Sequence, residues 1–219
     1  MHKQAFGGDQ KIGASILSKP EKALVAWGVG KIPLWLETYH LTLLTVLWSL
    51  LSIGFAVLAR DNLQWLWGVS LMIILQYLTD LFDGAVGRSR NTGLVKWGFY
   101  MDHFLDYVFL TSLVLCGYLI APEGLGVCYF LLCMFTGGFM VNSFLSFAAT
   151  NRFEIYFYGC GPTEMRIVFI LINTLIIYTG TSHFNVSVPI VTAICGLALL
   201  LLVKRSSDQL WHIDMEHKH

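Results

Sequence analysis

The chain has 219 residues, of which 56% are hydrophobic and only 13% are charged, and its formal net charge is zero. Soluble domains contain about 25% charged residues, so there are too few charges here to cover a globule of this size. The composition excludes an ordinary soluble domain, and the neutral balance gives no reason to expect a nucleic-acid partner.

The segment before the first apolar run is amphipathic. Residues 20–39 mix aromatic and aliphatic side chains such as Trp27 with charged ones such as Lys22 and Glu37. Aromatic rings combined with lysines suit the interface plane of a membrane. We therefore predict an interfacial amphipathic helix within a cytoplasmic N-terminal segment, 1–39, with an irregular tether as the alternative.

Six apolar runs follow, each close to the roughly 20 residues that a helix needs to cross a bilayer. Helix-breaking or polar residues separate most of them. We predict transmembrane helices at about 40–59, 63–84, 97–120, 125–149, 165–182 and 186–203. The predicted fold class is therefore all-α, a polytopic membrane protein. Its six transmembrane helices form one catalytic domain over 40–205, followed by a cytoplasmic tail over 206–219.

Lysine and arginine residues fall almost entirely on one side of these spans. With the N-terminus inside, all of the 14 basic residues except Arg60 lie in inner segments. Cytoplasmic loops carry the excess of basic residues in membrane proteins. We therefore predict that both termini, and the loop joining the second and third spans, are cytoplasmic.

The second and third spans carry four aspartates at helical spacing. Asp80 and Asp83 lie at i and i+3 of one helix, and Asp102 and Asp106 lie at i and i+4 of the next. Each pair therefore lies along one helical face. A short turn makes the two helices antiparallel neighbours, so we expect the two pairs to face each other near the inner surface.

Four converging carboxylates repel one another unless cations neutralise them, and acids inside a membrane are costly unless paired. Ligands that are all oxygen select hard ions, so we predict Mg²⁺ or Mn²⁺ as the cofactor. The predicted ligands are Asp80, Asp83, Asp102 and Asp106. Two ions at roughly 3.5–4 Å would clamp a diphosphate and stabilise its in-line displacement.

Small residues and one arginine accompany the aspartates on these two faces. Where a side chain is missing, at Gly84, Gly87 and Gly98, a nucleotide or phosphate can approach the helix backbone closely. Arg88, at the end of its helix, can donate bidentate hydrogen bonds to a phosphate.

This pattern resembles the motif of the CDP-alcohol phosphotransferases, also called CDP-alcohol phosphatidyltransferases. Members of that family carry Asp-x2-Asp-Gly-x2-Ala-Arg, then eight or nine residues, then Gly-x3-Asp-x3-Asp. The chain matches every position except one, Gly87, where the family has alanine. The motif covers residues 80–106, and the resemblance in architecture covers about 30–205.

The resemblance implies a role for each site residue. Asp80, Asp83 and Asp102 would be metal ligands, and Asp106 would be the general base for the acceptor hydroxyl as well as a metal ligand. The residues that would bind the nucleotide are Asp80, Gly84, Gly87, Arg88, Gly98 and Asp102.

The resemblance also implies an activity and an assembly. A phospholipid-synthesis enzyme of this kind would transfer a substituted phosphate group from a CDP-linked donor to an acceptor alcohol and release CMP. At least one substrate would be a lipid, and the chain would form a homodimer. The orientation predicted from the basic residues places the active site at the cytoplasmic face. A divalent-cation transporter is a further alternative. It is disfavoured because all four aspartates cluster at one end of their helices.

Three further residues are candidates for contact with a lipid or acceptor phosphate. Glu164 and Arg166 open the fifth span, where some family members carry an acid–arginine pair, and Arg152 ends the fourth. The alternative roles are helix capping in the turn before the fifth span and, for Arg152, anchoring at the interface.

The donor and acceptor are less clearly marked. Tyr107 follows the last aspartate, where members that take phosphorylated acceptors carry lysine or arginine. This favours an uncharged or zwitterionic acceptor, with CDP-diacylglycerol as the donor. The stretch 31–36 and the pair Asp102-His103 resemble the branch that couples CDP-choline or CDP-ethanolamine to diacylglycerol. That branch is normally much longer, and it remains the alternative.

Overall fold

A computed structural model describes residues 11–12, 17–150, 153–154 and 161–216. Over these ranges the chain forms seven α-helices, two short 3-10 turns (Val29–Lys31 and Leu63–Trp65) and one parallel pair of two-residue strands. The strands are β1 (Lys11–Ile12) and β2 (Phe153–Glu154). The helices are α1 (Ser18–Gly28), α2 (Thr38–Ala59), α3 (Leu66–Arg90), α4 (Val95–Ile120), α5 (Gly126–Thr150), α6 (Pro162–Thr179) and α7 (Phe184–Glu216).

Helices α2 to α7 are each long and apolar enough to cross a membrane, which confirms the predicted six spans. Two of them run past their predicted ends. Helix α3 continues beyond residue 84 to Arg90 and stops where Asn91 adopts a left-handed conformation, with φ of 50°. Helix α7 continues through 206–216 of the predicted tail. Hydropathy marks where a helix leaves the apolar layer, and the backbone hydrogen bonds continue into polar residues.

The segment before α2 is only partly helical. Helix α1 and the turn that follows it end at Lys31, and Ile32 is extended, with ψ of 123°. The residue before a proline disfavours the helical region, and Pro33 follows here. Arg90, at the end of α3, holds the irregular stretch by donating to the carbonyls of Ile32 (3.0 Å) and Leu36 (2.8 Å). The predicted helix over 20–39 is thus a helix in its first half and a tether in its second.

Helix α2 packs against both α3 and α4, while α6 packs on α3 and α7 on α5. The buried face of α2 is built from small residues, among them Ser52, Ala56 and Ala59, each 0% exposed. Small residues let membrane helices approach closely. This close packing holds α3 and α4 against α2, and it determines where their aspartates meet.

Candidate active site

Helices α3 and α4 bring three aspartates together. Asp80 of α3 and Asp102 and Asp106 of α4 each offer one carboxylate oxygen, and these atoms all lie within 4.8 Å of one another. Asp102 and Asp106 are one turn apart on the same face of α4. We expected α3 and α4 to be direct neighbours, but each packs mainly against α2, and this shared packing brings their aspartates together. These three aspartates therefore lie together, as we expected from their spacing.

The fourth aspartate does not join that group. Asp83 is 7% exposed, and its Oδ2 accepts a hydrogen bond of 2.9 Å from Thr42 Oγ1 on α2. Its Oδ1 accepts from the backbone N–H of Gly84. Asp83 remains within electrostatic range of Asp102. The expected cluster of four carboxylates is therefore a group of three with the fourth beside it, because a hydroxyl on α2 attracts Asp83.

Arg166 of α6 lies against the group of three. One guanidinium nitrogen is 2.8 Å from Asp80 Oδ2 and 3.5 Å from Asp106 Oδ1, and the arginine side chain is 12% exposed. Its Nε donates to Gln76 Oε1 at 2.9 Å. The amide Nε2 of Gln76 donates in turn to Asp106 Oδ1 at 3.0 Å. Gln76 was not predicted from the sequence. The available signal was a single amide, one turn before Asp80, in an apolar run.

The other two phosphate candidates have different positions. Glu164 accepts the backbone N–H of Gly161 at 2.8 Å, which caps the first turn of α6, where Pro162 needs no donor partner. The capping alternative therefore describes Glu164, whereas Arg166 reaches the aspartates. Arg152 lies outside the described residues.

Of the three glycines predicted to bind the nucleotide, Gly98 and Gly84 leave room for a ligand, and Gly87 packs against another helix. A β-carbon built on Gly98 would have no atom within 4 Å, apart from its own helix and chain neighbours, so the backbone there is open to a ligand. At Gly84 it would lie 3.1 Å from the guanidinium of Arg88, a flexible and exposed side chain. At Gly87 it would lie 3.0 Å from the hydroxyl of Thr38 on α2. The small size of Gly87 therefore serves the contact between α3 and α2.

Helix α1 is attached beside the site. Oε1 of Glu21 accepts hydrogen bonds from Tyr77 of α3 (3.2 Å) and from Thr163 of α6 (2.7 Å). Gly28 is buried against Phe82, which lies between the two aspartates of α3 in sequence. The amphipathic pattern predicted a helix here, but it did not predict that the helix would join α3 to α6.

A family model described as CDP-alcohol phosphatidyltransferase matches residues 38–203, which is most of the chain and includes the aspartate site. The chain belongs to this family. The comparison with curated proteins finds no match.

This CDP-alcohol phosphatidyltransferase is an integral, multi-pass membrane enzyme of phospholipid synthesis. It is a transferase of substituted phosphate groups, and its substrates are a CDP-alcohol and an acceptor alcohol. The family assignment leaves no support for the transporter alternative.

The ligand atoms of this site fit a metal ion, on which the family generally depends. The grouped ligands are carboxylate oxygens, with no thiol or imidazole among them, and this chemistry suits a hard cation. An ion bound at about 2.0–2.1 Å would separate opposite ligands by about 4 Å. The three carboxylate oxygens lie within 4.8 Å of one another, a separation of the same order.

Proposed function

We propose that this enzyme transfers the phosphatidyl group of CDP-diacylglycerol to the hydroxyl of an uncharged or zwitterionic alcohol and releases CMP. The observation that carries the proposal is the meeting of Asp80, Asp102 and Asp106 with Arg166 at one end of α3, α4 and α6. We take 40–205 as the catalytic domain.

The charge at the site supports two divalent ions. Asp80, Asp83, Asp102 and Asp106 together exceed the single charge of Arg166 by three negative charges. One divalent cation leaves an excess of one negative charge, and two leave one positive charge, which suits an anionic diphosphate. When bound, Mg²⁺ or Mn²⁺ would neutralise the diphosphate and make the acceptor hydroxyl more acidic. All four aspartates are proposed ligands, Asp83 by a rotation away from Thr42.

Asp106 is the proposed general base. It lies one turn further along α4 than Asp102, away from the α3–α4 connection, and its Oδ1 is held by Gln76. The acceptor hydroxyl gives its proton to Asp106, and its oxygen attacks the phosphorus that carries the diacylglycerol. The bond from that phosphorus to the bridging oxygen breaks, and the electron pair leaves with CMP.

The remaining residues bind and orient the donor. Gly98 lets the nucleotide lie against α4, and Arg88, exposed beside Gly84, donates to a phosphate. Arg166 can turn from Asp80 to the lipid phosphate as cations take over the carboxylate. Gly87 contributes through the packing that holds α3 in place.

The acceptor preference follows from Tyr107 at the position after Asp106. A neutral phenol there, 39% exposed, offers no cation for an acceptor phosphate. The test uses purified protein in vesicles with Mn²⁺. Labelled CDP-diacylglycerol is offered with serine, inositol, choline, ethanolamine or a phosphorylated polyol, and CDP-choline is offered with diacylglycerol. A labelled lipid formed only from CDP-choline, or best with the phosphorylated polyol, would contradict the assignment.

Asp106→Asn and Asp80→Asn separate the two proposed roles. Asparagine keeps the size of Asp106 but accepts no proton, so turnover should fall by about 10²–10⁴-fold while CDP affinity stays within a few fold. Asp80→Asn removes a charged ligand and should weaken the binding of both Mn²⁺ and CDP. Near-normal turnover by Asp106→Asn, or an equal loss of CDP affinity in both variants, would show that the roles are assigned wrongly.

The proposed orientation and assembly are tested separately. A cytoplasmic active site requires that a cysteine introduced at Thr92, between α3 and α4, is labelled only from the cytoplasmic side. A homodimer requires a mass of two chains in mild detergent. Labelling from the outside would show that the topology is the reverse of the one proposed. A mass of one chain would contradict the homodimer.

A further inference from the structure

Gln76 is an uncharged amide inside an apolar helix, and its side chain is fully buried. Burying an amide without hydrogen bonds costs several kcal/mol, so its partners determine whether it is tolerated. Both ends of this amide are satisfied by charged groups: Asp106 Oδ1 at 3.0 Å and Arg166 Nε at 2.9 Å.

The chemistry of those partners fixes the orientation of the amide. Arg166 can only donate, so it must face the carbonyl oxygen Oε1, and the carboxylate of Asp106 must face the NH₂ group. A flipped amide would place two donors together at one end and two acceptors together at the other. Gln76 therefore has one orientation, and it presents a neutral donor to one chosen oxygen of Asp106.

Without this donor, the Asp106 carboxylate would be drawn toward the guanidinium of Arg166. The guanidinium lies 2.8 Å from Asp80 and 3.5 Å from Asp106 Oδ1. The Gln76 amide lies 3.0 Å from the same oxygen of Asp106, so it makes the shorter of the two contacts to that oxygen. A rotation toward Arg166 would shorten the existing ion pair and give the carboxylate a poorer angle for proton transfer. Misplacing a reacting group by about 1 Å can cost about 10²-fold in rate.

We propose that Gln76 is a positioning residue that fixes the orientation of the Asp106 carboxylate for deprotonation of the acceptor hydroxyl. The inference rests on the proposed role of Asp106 as the base. The alternative explanation is that Gln76 has only a structural role, holding α3 against α6.

The same helix pair provides a matched control for that alternative. Nδ2 of Asn173 on α6 donates to Ser70 Oγ on α3 at 3.1 Å. This is also an amide hydrogen bond between α6 and α3, but Ser70 precedes Asp80 by ten residues, about 15 Å along the helix. Asn173→Leu therefore removes a fastening contact without touching an aspartate.

The experiment measures kcat, the donor KM, the Mn²⁺ affinity and the unfolding temperature of Gln76→Leu, Gln76→Glu and Asn173→Leu. Gln76→Leu removes both hydrogen bonds at similar volume. Gln76→Glu keeps an acceptor for Arg166 and loses the donor to Asp106, so it tests the proposal even if the leucine variant does not fold. We expect both Gln76 variants to lose about 10–100-fold in kcat. In Gln76→Leu the donor KM and Mn²⁺ affinity should stay within a few fold of wild type, whereas Gln76→Glu adds a carboxylate beside Asp106 and should bind Mn²⁺ at least as tightly as wild type. Asn173→Leu should keep its kcat while losing thermal stability.

Several outcomes would overturn the inference. One is a kcat for the Gln76 variants as high as that of Asn173→Leu. Another is a loss of Mn²⁺ affinity in proportion to the loss of kcat, which would mean that Gln76 acts through the metal ligands. The proposed function fails by a different route: wild type turns over no CDP-linked donor, or Asp106→Asn remains active.

Discussion

Replacing Arg166 by glutamine should destabilise the enzyme in a way that Mn²⁺ reverses. In the wild type, Arg166 neutralises part of the repulsion among the carboxylates, at 2.8 Å from Asp80 and 3.5 Å from Asp106. Removing one partner of a buried ion pair costs about 3–5 kcal/mol. Because the two side chains of the closer pair are 12% and 22% exposed, solvent screening should reduce this cost to about 2–3 kcal/mol without metal.

That free energy translates into a measurable shift. For chains of 150–250 residues, 1 kcal/mol corresponds to about 2–4 °C, so Arg166→Gln should unfold about 4–12 °C below wild type in EDTA. A divalent cation at 100 times its dissociation constant stabilises the folded state by about 2.7 kcal/mol. Since Arg166 no longer competes for Asp80, Mn²⁺ should raise the unfolding temperature more in the variant than in wild type.

The assay is thermal unfolding in detergent, with EDTA and with saturating Mn²⁺, and Arg90→Gln is the control. Arg90 also holds backbone and carboxylate groups, including the carbonyl of Leu36 at 2.8 Å and Glu37 at 3.6 Å, but none of the grouped aspartates. Arg90→Gln should lower the unfolding temperature by the same number of degrees in EDTA and in Mn²⁺. If Arg166→Gln also lost the same number of degrees in EDTA and in Mn²⁺, Arg166 would be an ordinary structural arginine, and the charge argument for the metal site would fail.

Two further substitutions test how α1 and α2 support the site. Thr42→Val keeps the side-chain shape but removes the 2.9 Å donor to buried Asp83. It should cost about 1–3 kcal/mol of stability, with Thr42→Ser close to wild type in thermal unfolding. Gly28→Val would place a β-carbon 2.6 Å from the ring of Phe82, so α1 should shift and be cut faster by protease, with a cost of about 1–3 kcal/mol. Gly30→Val, where a β-carbon meets no atom within 4 Å, should be cut at the wild-type rate. Equal protection of both glycine variants would contradict the described packing of α1.

The part of the site that could be predicted from the sequence is the part determined by helical periodicity. Asp102 and Asp106 lie together because i, i+4 spacing places them on one face of α4, and Asp80 joins them because α3 and α4 both pack against α2. Six spans could be predicted because apolar length is measured against a fixed bilayer thickness. The spans and the shared face of Asp102 and Asp106 need no contact between residues distant in the chain, whereas the approach of Asp80 depends on packing against α2.

What could not be predicted depends on such contacts. Asp83 turns to Thr42, which lies 41 residues earlier on α2, and nothing in the spacing of the motif indicates a competing hydroxyl. Gly87 lies in the motif, but it packs on Thr38 of α2 rather than lying open. Gln76 is a single amide with no period, so its importance appears only when α6 brings Arg166 against it.

The chemistry of the motif therefore depends on helices that do not carry it. Apolar helices gain no hydrophobic free energy from one another inside a bilayer, so polar contacts and close packing hold them together. The polar contacts that join α3 to α6 include Asn173 to Ser70, Arg166 to Gln76 and Arg166 to Asp80. Of these, only the last is made directly to one of the carboxylates that would bind metal. A buried arginine is costly in a membrane unless it pairs with an opposite charge. Arg166 pairs with aspartates that the proposed reaction needs, so each charge lowers the free-energy cost of burying the other.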